Sequence, residues 1–315
     1  TVTSGGTASF TVTPATGYHV ASVAGDTCTV TGSGTSYSAA NIQANCAVTA
    51  TFAIDEFTVT ASSGGNGTIT PASQNVSHGG TASFTVTPAT GYHVVSVAGD
   101  TCTVTGSGTS YSAANIQANC AVTATFAIDE FTVTASSGGN GTITPASQNV
   151  SHGGTASFTV TPATGYHVVS VAGDTCTVTG SGTSYSAANI QANCAVTATF
   201  AIDEFTVTAT SGGNGTITPA SQTVAFDGTA SFTVTPTTGY HVVSVSGDTC
   251  TVTGSGSSYS AANIQANCAV TATFAINQYT VTFLDWDATV LKTEQVDHGS
   301  AATAPADPSR TGYTF

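Results

Sequence analysis

Basic residues are almost missing from this chain. Lys292 and Arg310 stand against 16 acidic residues, and the formal net charge is -14. Displacing the counterions of nucleic-acid phosphate takes clustered lysine and arginine. Nucleic acid is therefore excluded as a main partner, and anionic membrane surfaces are disfavoured on the same ground. Charge of either sign is scarce: 6% of the 315 residues, against roughly 25% in ordinary soluble domains. Long hydrophobic runs are missing too, and none approaches the roughly 18 residues of a transmembrane helix. No membrane span lies in this segment. Methionine is absent. There is no Gly-x-Ser-x-Gly elbow and no phosphate loop with its lysine. No catalytic residue can be named, no cofactor is called for, and the chain reads as non-enzymatic.

What is present can build a core. Hydrophobic residues make up 40%, and 34 glycines punctuate them. The decisive pattern is repetition. Residues 57–130 recur unchanged at 131–204 and return at 205–278 with ten substitutions. Residues 1–56 match the same unit from its nineteenth residue, with Ala21 where Val95 stands. A divergent partial unit opens at Tyr279 and runs to Phe315. The domains are thus 1–56, a truncated module, then 57–130, 131–204 and 205–278, then 279–315. A unit of 74 residues is long enough to hold its own core, though a marginal one. Both ends cut through a unit. The chain therefore reads as a window on a longer polypeptide, with strand exchange between incomplete end units as the rival explanation.

Within a unit the hydrophobic period is two. Phe57, Val59 and Ala61 alternate with threonines, as do Ala82, Phe84 and Val86, and Cys120, Val122, Ala124 and Phe126. Threonine and valine suit a pleated, half-buried surface. Asn66-Gly67 is a hairpin signal, and Gly79-Gly80, Gly91, Gly99-Asp100 and Gly106-Ser107-Gly108 mark other turns. The pattern predicts six strands, at 57–62, 67–71, 81–88, 92–98, 101–105 and 120–127. Ala113–Ala118 is the one helix candidate. At the junction, Ile128-Asp129-Glu130 runs into Phe131 with no Gly, Pro or Ser linker, so free hinging is not expected. The apolar parity changes there, from Phe126 and Ile128 to Phe131 and Val133, which turns side chains to the other face. The expected fold class is all-β: tandem small β-rich modules in an elongated, stiff rod.

Each unit from 1–56 to 205–278 holds two cysteines, 18 positions apart. Repeat symmetry favours pairing within units: Cys28 with Cys46, Cys102 with Cys120, Cys176 with Cys194, and Cys250 with Cys268. Two thiols without Cys-x-x-Cys do not make a zinc site. Closing such a loop stabilises by roughly 3 kcal/mol in the chain-entropy model. Disulfides belong outside the reducing cytosol, so the expected location is extracellular or at the cell surface.

The order of motifs resembles a known family. Phe57-Thr-Val-Thr-Ala61, Asn66-Gly-Thr-Ile-Thr-Pro71, His78-Gly-Gly-Thr-Ala82, Phe84-Thr-Val-Thr-Pro88, Gly91-Tyr-His93 and Val122-Thr-Ala-Thr-Phe126 are similar to the divergent form of the internalin B-repeat, also called the Listeria–Bacteroides repeat. The last unit resembles the non-divergent form through Tyr279-Thr-Val-Thr-Phe283, His298-Gly-Ser-Ala301, Pro305-Ala-Asp-Pro308 and Arg310-Thr-Gly-Tyr-Thr-Phe315. The resemblance implies small β-rich modules, in some members β-grasp-like, strung along bacterial surface proteins as stalk or adhesion segments. The cysteine pair departs from the internalin version.

Other residues invite chemistry. His19, His93, His167 and His241 follow Gly-Tyr, and His78 and His152 precede Gly-Gly. Phe226 and Ser4 replace the latter pair elsewhere, so the plainer reading, a turn or strand-surface histidine, is preferred to catalysis or metal binding. The pairs Asp55-Glu56, Asp129-Glu130 and Asp203-Glu204 fall at junctions and are candidate calcium ligands. The rival reading is a solvated acidic turn, and the next junction has Asn277-Gln278. Asp26, Asp100, Asp174 and Asp248 read as turn formers.

Two functional expectations follow. One is a structural stalk or fibre of a bacterial surface adhesin or filament, with itself as partner. The other is a multivalent binder of surface glycan or protein, with Tyr92 and His93 as the exposed aromatic candidates and avidity from linked weak sites.

Overall fold

The computed structural model describes residues 1–307 and 309–314. Pro308 and Phe315, both part of the last unit's signature, lie outside the described residues. The chain divides into two compact units. One is Thr1–Val133 with Asn149–Ala156 and Ala188–Cys194, and the other is Thr134–Gln148 with Ser157–Ala187 and Ala195–Phe315. The protein is all-β. No helix long and apolar enough to cross a membrane occurs among the described residues.

In the first unit, residues 57–130 form a complete module. Its strands are Glu56–Ser63, Gly67–Thr70, Ser73–Ser77, Ala82–Pro88, Tyr92–Gly99, Val104–Ser107, Ser110–Ala113 and Cys120–Ile128. They make two four-stranded sheets. One has the order Tyr92–Gly99, Cys120–Ile128, Glu56–Ser63, Ser73–Ser77. The other has the order Val104–Ser107, Ser110–Ala113, Ala82–Pro88, Gly67–Thr70. Alternation along each strand sends Ala82, Phe84 and Val86 inward while Ser83, Thr85 and Thr87 stay exposed. The inward sides share one core. The first sheet supplies Val59, Val76, Cys120, Val122 and Ala124, and the second Ile69, Ala82, Phe84, Val86 and Ala113. This is a two-sheet sandwich. It lacks the helix that a β-grasp-like module would lay across its sheet.

Two strands escaped the sequence pattern, and one was misplaced. Ser73–Ser77 buries only Val76, so it shows no alternation to detect. Ser110–Ala113 is four residues of which only Ala113 is fully buried. The strand expected at 101–105 begins at Val104, because residues 100–103 form the bend that carries Cys102. The helix candidate Ala113–Ala118 is not helical. Asn115 there has φ 55°, a left-handed conformation that interrupts any right-handed helix. The backbone of Ile116 bonds instead to Gly79 and Gly80.

The first and last strands of the module are neighbours and run parallel, with Cys120 beside Val59 and Ala124 beside Ser63. A parallel pair needs a long crossover, and here the rest of the module is that crossover. Glu56 lies three residues before this register begins and Ile128 eight residues after it. At about 3.3 Å per residue, the chain therefore enters and leaves the module roughly 36 Å apart, at opposite ends of one sheet. In the second unit, residues 205–278 repeat the arrangement, with Val207 beside Cys268 and Ser211 beside Ala272, over the equivalent core.

The edge strand Tyr92–Gly99 carries a bulge between Val94 and Ser96, and the extra residue Val95 is exposed. A bulge blunts an open edge against pairing with other chains. The truncated copy keeps a three-stranded and a two-stranded sheet, and the last unit is a hairpin of Gln278–Leu284 and Val290–Asp297.

Candidate functional site: the junction between modules

The strand Cys120–Ile128 ends, Asp129 stands alone, and the strand Glu130–Ser137 begins. Val122 and Ala124 are buried on one side of this junction and Val133 on the other, so the inward parity does change across it. Asp129 is bonded in both directions. Its N–H donates to the Gly91 carbonyl at 2.8 Å, and its carbonyl accepts the His152 N–H at 2.8 Å. The same pair of bonds recurs at Asp55, to Gly17 and His78, at Asp203, to Gly165 and Phe226, and at Asn277, to Gly239 and His298.

The side chain of the junction residue turns back to the preceding copy. Oδ1 of Asp55, Asp129 and Asp203 meets Nδ1 of His19, His93 and His167 at 2.8 Å. At the remaining junction Asn277 Oδ1 meets His241 Nδ1 at 2.9 Å. An amide oxygen only accepts, so the imidazole Nδ1–H donates there, and the contact needs no charge. The histidine is more than half exposed in each acidic pair, which makes it a positioning contact rather than a strong ion pair.

A ring completes the joint. Gly17 and Gly91 are the turn glycines before Tyr18 and Tyr92, with φ of +81° and +76°. A Cβ at either position would run into the ring of His78 or His152 from the following copy. Phe226 fills the same place over Gly165, and His298 over Gly239. Each ring also leans on the first aromatic of its own copy. Phe57 and His78 have centroids 6.2 Å apart at 52°, Phe205 and Phe226 6.5 Å at 51°, and Tyr279 and His298 6.0 Å at 50°. These are favourable tilted geometries. Because Phe226 substitutes for histidine, shape is what the joint uses. Sequence reasoning left these residues as turn or surface histidines. The signal that would have found them is the ring shared by His78, His152, Phe226 and His298 at one position of the repeat.

The calcium candidates are separated by the same geometry. Asp55, Asp129 and Asp203 serve the histidines, whereas Glu56, Glu130 and Glu204 open the next strand and are exposed. Among the described residues no group of three or more His, Cys, Asp or Glu is placed to hold a metal ion. Tyr92 is half-buried opposite Ile128, and His93 is engaged by Asp129.

The disulfides lie at the start of the last strand of a module, or in the truncated copy just before it. Cys28–Cys46, Cys102–Cys120 and Cys250–Cys268 are bonded with Cα separations of 5.8, 5.9 and 5.9 Å. Cys176 and Cys194 are disulfide-bonded as well. Beside each bridge an aspartate ties the same two segments. Asp100 Oδ1 accepts the N–H of Thr101 at 2.7 Å and that of Ala121 at 2.8 Å, and the Thr101 hydroxyl reaches the Asn119 carbonyl at 2.8 Å. The Ala121 N–H above all holds the Asp100 carboxyl below the usual carboxylate range; desolvation opposes it, and the N–H and hydroxyl of Thr101 add to the lowering. Asp26, Asp174 and Asp248 are lowered in the same way by Ala47, Ala195 and Ala269. They are more than turn formers: each fastens the residue before one cysteine to the residue after the other.

Residues 1–56, 57–130, 131–204 and 205–278 each match the model of the divergent InlB B-repeat domain. No curated protein matches the chain. Among solved structures, the Bacillus anthracis TIE protein is similar at a TM-score of 0.33 and 9% identity, over 86% of this chain and 68% of that one. A likeness that slight carries no argument.

Proposed function

The chain belongs to the divergent InlB B-repeat family, and from that membership we propose that it is a non-enzymatic structural stalk of a bacterial surface protein, working outside the cell. The carrying observation is the junction. The modules 57–130 and 205–278 take in the chain at one end of a sheet and release it at the other, and at each junction a single residue bonds to both neighbouring copies. Such a joint transmits position along the chain without a free hinge. The disulfides support an oxidising location, and they brace modules whose cores are too small to be strongly stable alone.

Small-angle scattering on the full chain tests the reading. A stiff stalk should scatter as an elongated particle, with a radius of gyration well above that of a compact globule. A compact globule of this length would give about 20 Å, and that value would sink the stalk.

A further inference from the structure

The second sheet of each module has one face in the core and the other made of hydroxyls. In residues 57–130 the register sets Thr70, Thr85, Ser110 and Ser107 in one row and Ser83, Ser112 and Thr105 in the next. Strands lie about 4.8 Å apart and same-face residues nearly 7 Å apart along a strand, so these groups form a grid. The face is hollowed into a groove over Ser83, Thr85, Thr105, Ser110 and Ser112. Equivalent grooves lie over Thr11 in the truncated copy and Thr159 in the third. In residues 205–278 the same register is built around Thr233.

We propose that this repeated groove binds a neutral polysaccharide chain. The lining of all three grooves holds no acidic or basic residue. Among the described residues no protein group satisfies the hydroxyls of Ser83, Thr85, Thr105, Ser110 and Ser112. Each hydroxyl donates once and accepts twice, which matches a polyhydroxylated ligand. An anionic glycan would need basic partners, and both of the chain's basic residues, Lys292 and Arg310, fall in the last unit. One such groove binds weakly, but the repeat presents it again every 74 residues. A polymer is the ligand class that engages several copies together and gains by avidity. The inference does not rest on the stalk reading, since a compact chain would carry the same grooves.

The test is retention of the full chain on immobilised neutral glucan, mannan, galactan and chitin, with hyaluronan as the anionic comparison. At least one neutral glycan should retain it, still in about 1 M salt, where charges are screened beyond about 3 Å. The combined variant Thr85→Glu, Thr159→Glu and Thr233→Glu should weaken retention by at least about tenfold, because linked sites multiply one another. A control set on the outward face of the other sheet, Thr123→Glu, Thr197→Glu and Thr271→Glu, carries the same added charge and should bind as the parent. The proposal is overturned by retention on hyaluronan alone, by no retention on any neutral glycan, or by equal loss in both variant sets. A self-association abolished by the groove variants, without glycan retention, would overturn it in favour of a second copy of the chain.

Discussion

The ring of Phe226 occupies the space where a side chain at Gly165 would begin, although the two residues belong to successive copies of the repeat. At the three other junctions the ring is that of a histidine, His78, His152 or His298. A residue that alternates between imidazole and phenyl at a constant contact is held there by packing.

That contact predicts two opposite outcomes at one position. Phe226→His should change stability by less than about 0.5 kcal/mol, whereas Phe226→Ala should cost about 1–2 kcal/mol of local stability through the lost ring burial. Gly165→Ala should cost about 1–3 kcal/mol, since its φ of +76 and the ring both oppose a Cβ. Hydrogen exchange of the peptide around Phe226, whose sequence is unique in the chain, reads the effect through the amide that Phe226 donates to Asp203. Slow exchange in Phe226→Ala would show that the ring does not hold the joint.

Reduction of the disulfides should lower the unfolding midpoint, with a loss of about 3 kcal/mol per module. Without reductant, thiol titration should find no free cysteine. Peptide mapping should recover Cys102 linked to Cys120 and Cys250 linked to Cys268. Bridges between different copies would contradict the structure.

Acid should loosen the same corner of every module. The carboxyls of Asp26, Asp100, Asp174 and Asp248 titrate lower in the folded chain than in the unfolded one. The unfolded chain therefore binds more protons in that window, and stability rises with pH through it. Their contribution is complete above the ordinary carboxylate range and disappears as pH falls through the depressed folded values. Thermal midpoints followed from neutral pH into acid should drop, and the combined Asp→Asn variant at these four positions should show a flatter profile. An unchanged slope would remove these carboxyls from the account.

The strands at Glu56–Ser63, Ala82–Pro88, Tyr92–Gly99 and Cys120–Ile128 could be read in advance because each turns alternate residues inward, buried or half-buried, which writes its period into the residue order. Ser73–Ser77 and Ser110–Ala113 could not, because hydrogen bonds to neighbours hold them more than burial does. Ala113–Ala118 misled by composition: alanines favour helix, but Asn115 takes a left-handed turn and Ile116 docks in the core.

The sequence by itself determined the repeat, the all-β class, the partition of cysteines among copies and the absence of a flexible linker, since each is a property of residue order or count. Only the tertiary structure decided that the first and last strands of a module run side by side, that a histidine of one copy covers a glycine of its neighbour, and that the threonines of one sheet converge on a groove. The first two of these join residues about 60 positions apart, as Thr58 and Asn119 are joined by a hydrogen bond at 2.9 Å. No local period encodes such a distance. It is set when two sheets close over one core, and the chain's direction at each end of that core then fixes what the next copy meets.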